Sequence, residues 1–331
     1  MDKLQLVLDT FSGLNDERIL FSFWRHFPLI DLDPDKLAKA HIDYYNRFNF
    51  DLMKISLHGR YPCVDFGCQI ADEYDPVSGS TRCVKPVITK IEDWENIEQV
   101  DVNDGEFGKQ LRVVELINRK LEFLPKINTI FSPLMVASKL DRNIEEHIKR
   151  EPKIIFEALN ILYEVISEFS MASLDFGAEG LFIASQHLRP SSLTNKEINK
   201  FELFFIEKLI KRVRKKSPIT VFHIHGENIL FREATERIIT HAYNWHDQLT
   251  WPSLSEASEI TKKRGFLAGI NEEILVEGNK EEIINNIIKS LEVTAEIKRN
   301  ILAPGCVIPL DVEEESLDLI VKLVNDFNKK M

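Results

Sequence analysis

Short β-rich segments alternate with helix-patterned stretches along most of the 331 residues. That alternation limits the chain to few folds, because parallel strands need crossover connections of a dozen or more residues, usually helices. Eight strand segments are expected, at 18–24 (RILFSFW), 51–56 (DLMKIS), 127–131 (INTIF), 179–184 (EGLFIA), 218–224 (PITVFHI), 241–246 (HAYNWH), 265–269 (GFLAG) and 299–303 (RNILA). Between them Ile155, Leu159, Leu162, Ile166 and Phe169 recur at helical spacing, as do Ile284, Ile288, Leu291 and Ala295, predicting one-faced helices that cover the sheet. The count predicts an α/β fold of the (β/α)8 TIM-barrel type, one domain over residues 1–331, within the ~200 to over 400 residues typical of such barrels. An open doubly wound sheet is the alternative, but neither a G-x-G-x-x-G turn nor a Walker loop marks the nucleotide site it would carry. One connection, from Leu57 to about Glu106, is too long for an ordinary loop. It predicts a long βα loop on the catalytic face of the barrel.

Charge and composition narrow the function. A formal net charge of −11 argues against a nucleic-acid groove, which needs clustered Lys and Arg. The one dense basic run, KLIKRVRKKS at 208–217, reads as a solvated helix end. No apolar run reaches the ~20 residues needed to span a bilayer, and the first residues do not resemble an export signal. The expectation is a soluble, cytoplasmic protein with no membrane partner. Its four cysteines, Cys63, Cys68, Cys83 and Cys306, are then expected as thiols or metal ligands. No C-x-x-C pair supports a second metal site at the first three.

The most specific motif is VFHIHGENIL at 221–230. Side chains alternate along a strand, so His223 and His225 share one face and converge above the strand end. A third donor is expected from Cys306 in NILAPGCVIP, after the last strand and on the same mouth. Two imidazoles and a thiolate form a set suited to zinc, with a fourth position open for substrate. Further candidates lie at other strand ends. Glu179 is a candidate ligand or base, His187 a candidate ligand or substrate contact, and Asp247 a group that could orient an imidazole or receive a proton. Arg25 and His26 end the first strand and could face the cavity. His41 and His147, on helices, read as packing residues.

VFHIHG followed by APGCVIP resembles the H-x-C-G … G-C pattern of the zinc methyltransferases in the uroporphyrinogen decarboxylase superfamily. The resemblance extends through FDLMKISLHGRYPCVDFG, EDWENIEQVD, AEGLFIASQ, NWHDQ and GFLAGIN, and so spans nearly the whole chain. It implies a (β/α)8 barrel holding zinc through His223, His225 and Cys306. It also implies transfer of a methyl group from a methylated corrinoid to a small-molecule thiol. The corrinoid is expected on a partner protein, since no D-x-H-x-x-G cobalamin signature occurs here. A homodimer is left open. Two departures matter. His225 stands where the methyltransferases carry Cys, which removes one negative charge from the metal site. The decarboxylases open with P-V-W-x-M-R-Q-A-G-R, and in ILFSFWRHFPL only Arg25 matches the first of its two arginines. A porphyrinogen decarboxylase with Arg25 as anion partner is therefore the weaker alternative, beside a non-catalytic barrel that binds a metal or small molecule.

Overall fold

The computed structural model describes residues 2–77 and 79–331. Among the described residues nine strands form, β1 (Met53–Ile55), β2 (Gln69–Tyr74), β3 (Thr81–Lys85), β4 (Lys126–Phe131), β5 (Gly180–Ser185), β6 (Ile219–Ile224), β7 (Ala242–Asn244), β8 (Gly265–Ile270) and β9 (Asn300–Pro304). Seven of them make one parallel sheet in the order β1-β4-β5-β6-β7-β8-β9, and β2 pairs with β3 in a separate antiparallel hairpin. All seven sheet strands are buried throughout, as expected when helices cover one face and side chains fill the other. No helix among the described residues is long and apolar enough to cross a membrane.

The strand expected at 18–24 is reduced to a single parallel bridge, Phe21 to Leu302. Around it the Ser22 N–H donates to Leu302 O (2.9 Å), the Leu302 N–H donates to Leu20 O (2.9 Å), and the Asp51 N–H donates to Phe21 O (2.9 Å). This segment therefore stands between the two outer strands of the sheet. On the Asp51 side the carboxylate, in place of a backbone carbonyl, accepts the Phe21 N–H (3.1 Å), and it holds Arg18 through two bonds of 2.9 and 2.5 Å.

The 57–106 connection follows β1 and carries elements of its own, a short helix (Tyr61–Val64), the β2–β3 hairpin, a 3-10 helix (Ile91–Asn96) and the start of the helix Gly105–Lys120. The hairpin turn lies on the chain that follows Arg25. The Leu310 N–H donates to Val77 O (3.2 Å), and a Cβ on Gly79 (φ +71°) would fall 3.0 Å from His26 Cβ. The face of the helix Lys280–Ile297 is rotated by one position from the expected one, burying Ile283, Ile287, Ser290, Leu291 and Thr294 while Ile288 is exposed. Both Ile283–Ile284 and Ile287–Ile288 are apolar pairs, so helical spacing admits either face. Polar contacts choose between them, since Thr294 Oγ1 accepts from Asn300 Nδ2 (2.9 Å) and Ser290 Oγ from Gln248 Nε2 (3.1 Å). By contrast Ile155, Leu159, Leu162, Ile166 and Phe169 all face the core from the helix Pro152–Asp175.

Candidate metal centre and substrate cavity

His223 is the penultimate residue of β6 and His225 follows its end, so both stand at the carboxyl ends of the strands. Gly226 then turns the chain at φ +111°, a conformation L side chains rarely adopt. Cys306 lies just past β9. One donor atom from each of His223, His225 and Cys306 lies within 4.8 Å of the others, and Cys306 Sγ is 3.6 Å from His225 Nδ1.

Neighbouring groups prepare the imidazoles for a metal. Asn244, at the end of β7 and in register with His223, donates both Nδ2 hydrogens to backbone oxygens, those of Leu267 (2.7 Å) and Pro304 (3.0 Å). Its Oδ1 must then face His223 Nδ1 (2.6 Å), so the hydrogen-bond network assigns the His223 proton to Nδ1 and leaves Nε2 as a lone pair. Burial holds His223 well below the ordinary imidazole range, helped by His225, His246 and Lys54. His225 is lowered by burial and by Arg189 and Lys139. Neutral imidazoles are the ligand form, so the donor set fits a zinc ion at neutral pH. Replacing Asn244 with Ala frees the ring and its tautomer, and metal affinity is expected to fall about 10- to 100-fold in competition with a chromogenic chelator. Unchanged affinity would take Asn244 out of this role.

The three donors form one wall of a cavity of about 440 Å³. Trp24, Phe131 and Phe182 add apolar wall, and the Phe182 ring stacks on His223 at a centroid distance of 5.2 Å. Lys54, Arg60 and Lys139 bring positive charge to the same space, with His26 beside them. Burial pushes the Lys54 and Lys139 ammonium groups down to about 8 and the His26 imidazole to about 3. Glu272 sits beside the candidate metal ligands, accepting the Cys306 N–H and lying 4.0 Å from His246 Nδ1. Burial raises its carboxyl to about 7.

The four catalytic candidates are not brought into this cavity. Arg25 donates to Leu310 O (3.0 Å) and ties down the chain after β9, while its neighbour His26 lines the space instead. After β5, Gln186 faces the cavity, and the adjacent His187 has a buried, unpartnered Nε2 and is lowered to about 4 by burial. Asp247 accepts the Gly269 N–H (3.0 Å) and lines a different cavity with Gln248 and Ser290. Glu179 precedes β5 at the amino ends of the strands, where it accepts from the Lys126 N–H (2.7 Å) and pairs with Lys126 Nζ (3.2 Å). Sequence reasoning passed over Lys54, Lys139 and Asn244. A lysine inside DLMKIS and an asparagine inside HAYNWH are polar residues in strands with no solvent face, and each carries that signal.

Known proteins resemble this chain at low identity. The chain is 18% identical over 304 residues to the methylcobamide:CoM methyltransferase MtbA of Methanosarcina acetivorans, covering 91% of this chain and 87% of that protein. Among solved structures it superposes on a methyltransferase from Methanosarcina mazei with a TM-score of 0.84, at 17% identity and 99% coverage of both chains. It also matches a putative vitamin-B12-independent methionine synthase from Listeria monocytogenes with a TM-score of 0.58, at 12% identity, over 95% of this chain and 97% of that one. These likenesses establish a shared fold. Residues 13–327 match the family described as uroporphyrinogen decarboxylase (URO-D), and the chain belongs to that family.

Proposed function

We propose that this protein is a methyltransferase that moves a methyl group from a methylated corrinoid to a thiol held at a zinc ion bound by His223, His225 and Cys306. The observation that carries this reading is the convergence of those three donors in the lining of one cavity. The name of the Methanosarcina acetivorans relative, a methylcobamide:CoM methyltransferase, supports the reaction class. Bound there, zinc supplies a Lewis acid that favours the thiolate form of the acceptor. The residues of the chain do the rest. His223, fixed through Asn244, and His225 offer neutral lone pairs, and Cys306 adds a thiolate donor. Trp24, Phe131 and Phe182 exclude water beside the reacting sulfur. Lys54, Arg60 and Lys139 recognise an acidic group at the far end of the thiol, so the acceptor is an anionic thiol. The Leu20–Ser22 segment serves as the eighth stave, completing a barrel around this cavity. The corrinoid arrives on a partner protein.

Purified protein, assayed anaerobically with methylcobalamin and a panel of mercapto-acids, should demethylate the corrinoid and hold close to one zinc per chain. Absence of both would overturn the reading. A porphyrinogen decarboxylase is less well served, because Arg25 is engaged by Leu310 O outside the cavity.

The cavity lysines also set a pH dependence. Lys54 and Lys139, lowered to about 8 by burial, are mostly charged below that pH and mostly neutral above it. A group one unit above its pKa keeps roughly a tenth of its charge. KM for an acidic thiol should therefore rise between pH 7 and 9, by about tenfold, relative to KM for an uncharged thiol such as 2-mercaptoethanol. Parallel profiles for both thiols would remove the lysines from acceptor binding.

A further inference from the structure

Part of the basic run 208–217 lines a second cavity. Lys211, Arg214 and Lys215 close the helix Phe204–Val213 and meet Arg237, His241 and Arg264, which precede β7 and β8, around a cavity of about 490 Å³. This cavity is at the amino ends of β6, β7 and β8, opposite the metal ligands. Its single carboxylate, Glu207, is taken up by Lys211 (2.5 Å) and Arg237 (3.1 Å). Arg214, Lys215 and Arg264 have no ion-pair partner among the described residues, in a chain whose net charge is −11. One hydrogen-bond donor is already oriented. The Thr220 N–H donates to His241 Nδ1 (3.0 Å), which places the imidazole proton on Nε2. Ile239, more than half exposed, and Ile210 add an apolar side.

We infer that this cavity binds a small molecule carrying a di- or triphosphate, with its phosphate oxygens on Arg214, Lys215, Arg264 and the His241 Nε2–H. Guanidinium groups present planar paired donors that match phosphate oxygens, and several cations around one concavity favour a multiply charged anion over a single one. The volume suits a small ligand, within the ~300–1,000 Å³ range of ordinary ligand sites. A nucleic-acid strand would need a longer basic stripe than this one concavity provides. The site stands apart from the methyl-transfer cavity and does not depend on that assignment.

Calorimetric titration of the intact chain with pyrophosphate and with ADP, at near-physiological ionic strength, tests it. Saturable one-to-one binding is expected, weaker for inorganic phosphate. Arg264→Ala and Arg214→Ala should each weaken binding about tenfold, as loss of one charge-assisted pair implies. Lys139→Ala, at the other cavity, should leave it unchanged. Absence of saturable binding up to millimolar ligand would overturn the proposal. So would full affinity in both arginine variants, or a loss caused by Lys139→Ala instead. Equal competition by sulfate would show an adventitious ion only and would overturn it as well.

Discussion

Cys306→Ala is expected to yield a folded protein in which zinc binding and the proposed methyl transfer are lost together. Cys306 lies beyond β9 and is only partly buried, so removing its sulfur opens no core cavity and stability should change by less than about 1 kcal/mol. A metal bound as proposed would lose its one anionic donor and retain two imidazoles, whose charged forms burial disfavours. Loss of a group that merely orients a ligand costs about 10- to 100-fold in metal affinity, so loss of the ligand itself should cost at least about 100-fold. His223→Ala should behave alike, with a further packing loss against Phe182. Elemental analysis after gel filtration, beside thermal unfolding followed by circular dichroism, separates metal loss from misfolding. Full zinc retention in Cys306→Ala, His223→Ala and His225→Ala would sink the metal assignment.

The second large effect is on stability. Glu179→Ala should destabilise the fold by about 2–4 kcal/mol while leaving turnover per folded molecule unchanged. The Lys126 side chain is fully buried, and its ammonium donates to Leu121 O (3.2 Å), Leu124 O (2.7 Å) and Glu179 Oε1 (3.2 Å). Burial lowers the Lys126 pKa, and the Glu179 charge opposes that shift. Without the carboxylate a buried cation is left with two carbonyls, and the Lys126 N–H loses its 2.7 Å acceptor. Breaking a buried pair from one side is costly because the remaining charge is uncompensated. Urea unfolding gives the stability change, and active-site-normalised assay gives the turnover. A variant with an unchanged midpoint but lost turnover would return Glu179 to the catalytic role that its place beside a strand suggests.

Glu179 shows how far local pattern reaches. The strand EGLFIA begins at Glu179, and in a parallel barrel the catalytic face lies at the other end of each strand. The side of the molecule on which Glu179 stands was therefore legible from the order of residues within its own strand. The same rule places His223 and His225, at the finish of their strand, on the mouth. Arg25, His187 and Asp247 are also at strand finishes, yet they do not line the cavity. Which side a side chain takes just past a strand depends on the turn that follows, and local alternation no longer applies there.

Strand and helix periodicity is a property of neighbouring residues, so the alternation of elements, the paired imidazoles on one face and the apolar stripe of the helix Pro152–Asp175 could be read without coordinates. Contacts between distant segments could not. Cys306 reaches His225 across 81 positions, and Asn244 is pinned by carbonyls from two other strands. The Asp51 carboxylate accepts the Phe21 N–H, and polar contacts from Asn300 and Gln248 choose the face of the helix Lys280–Ile297. Each of these is settled by which buried polar groups find partners once the strands are side by side. That requirement acts between chain segments far apart in sequence, and only the folded arrangement satisfies it.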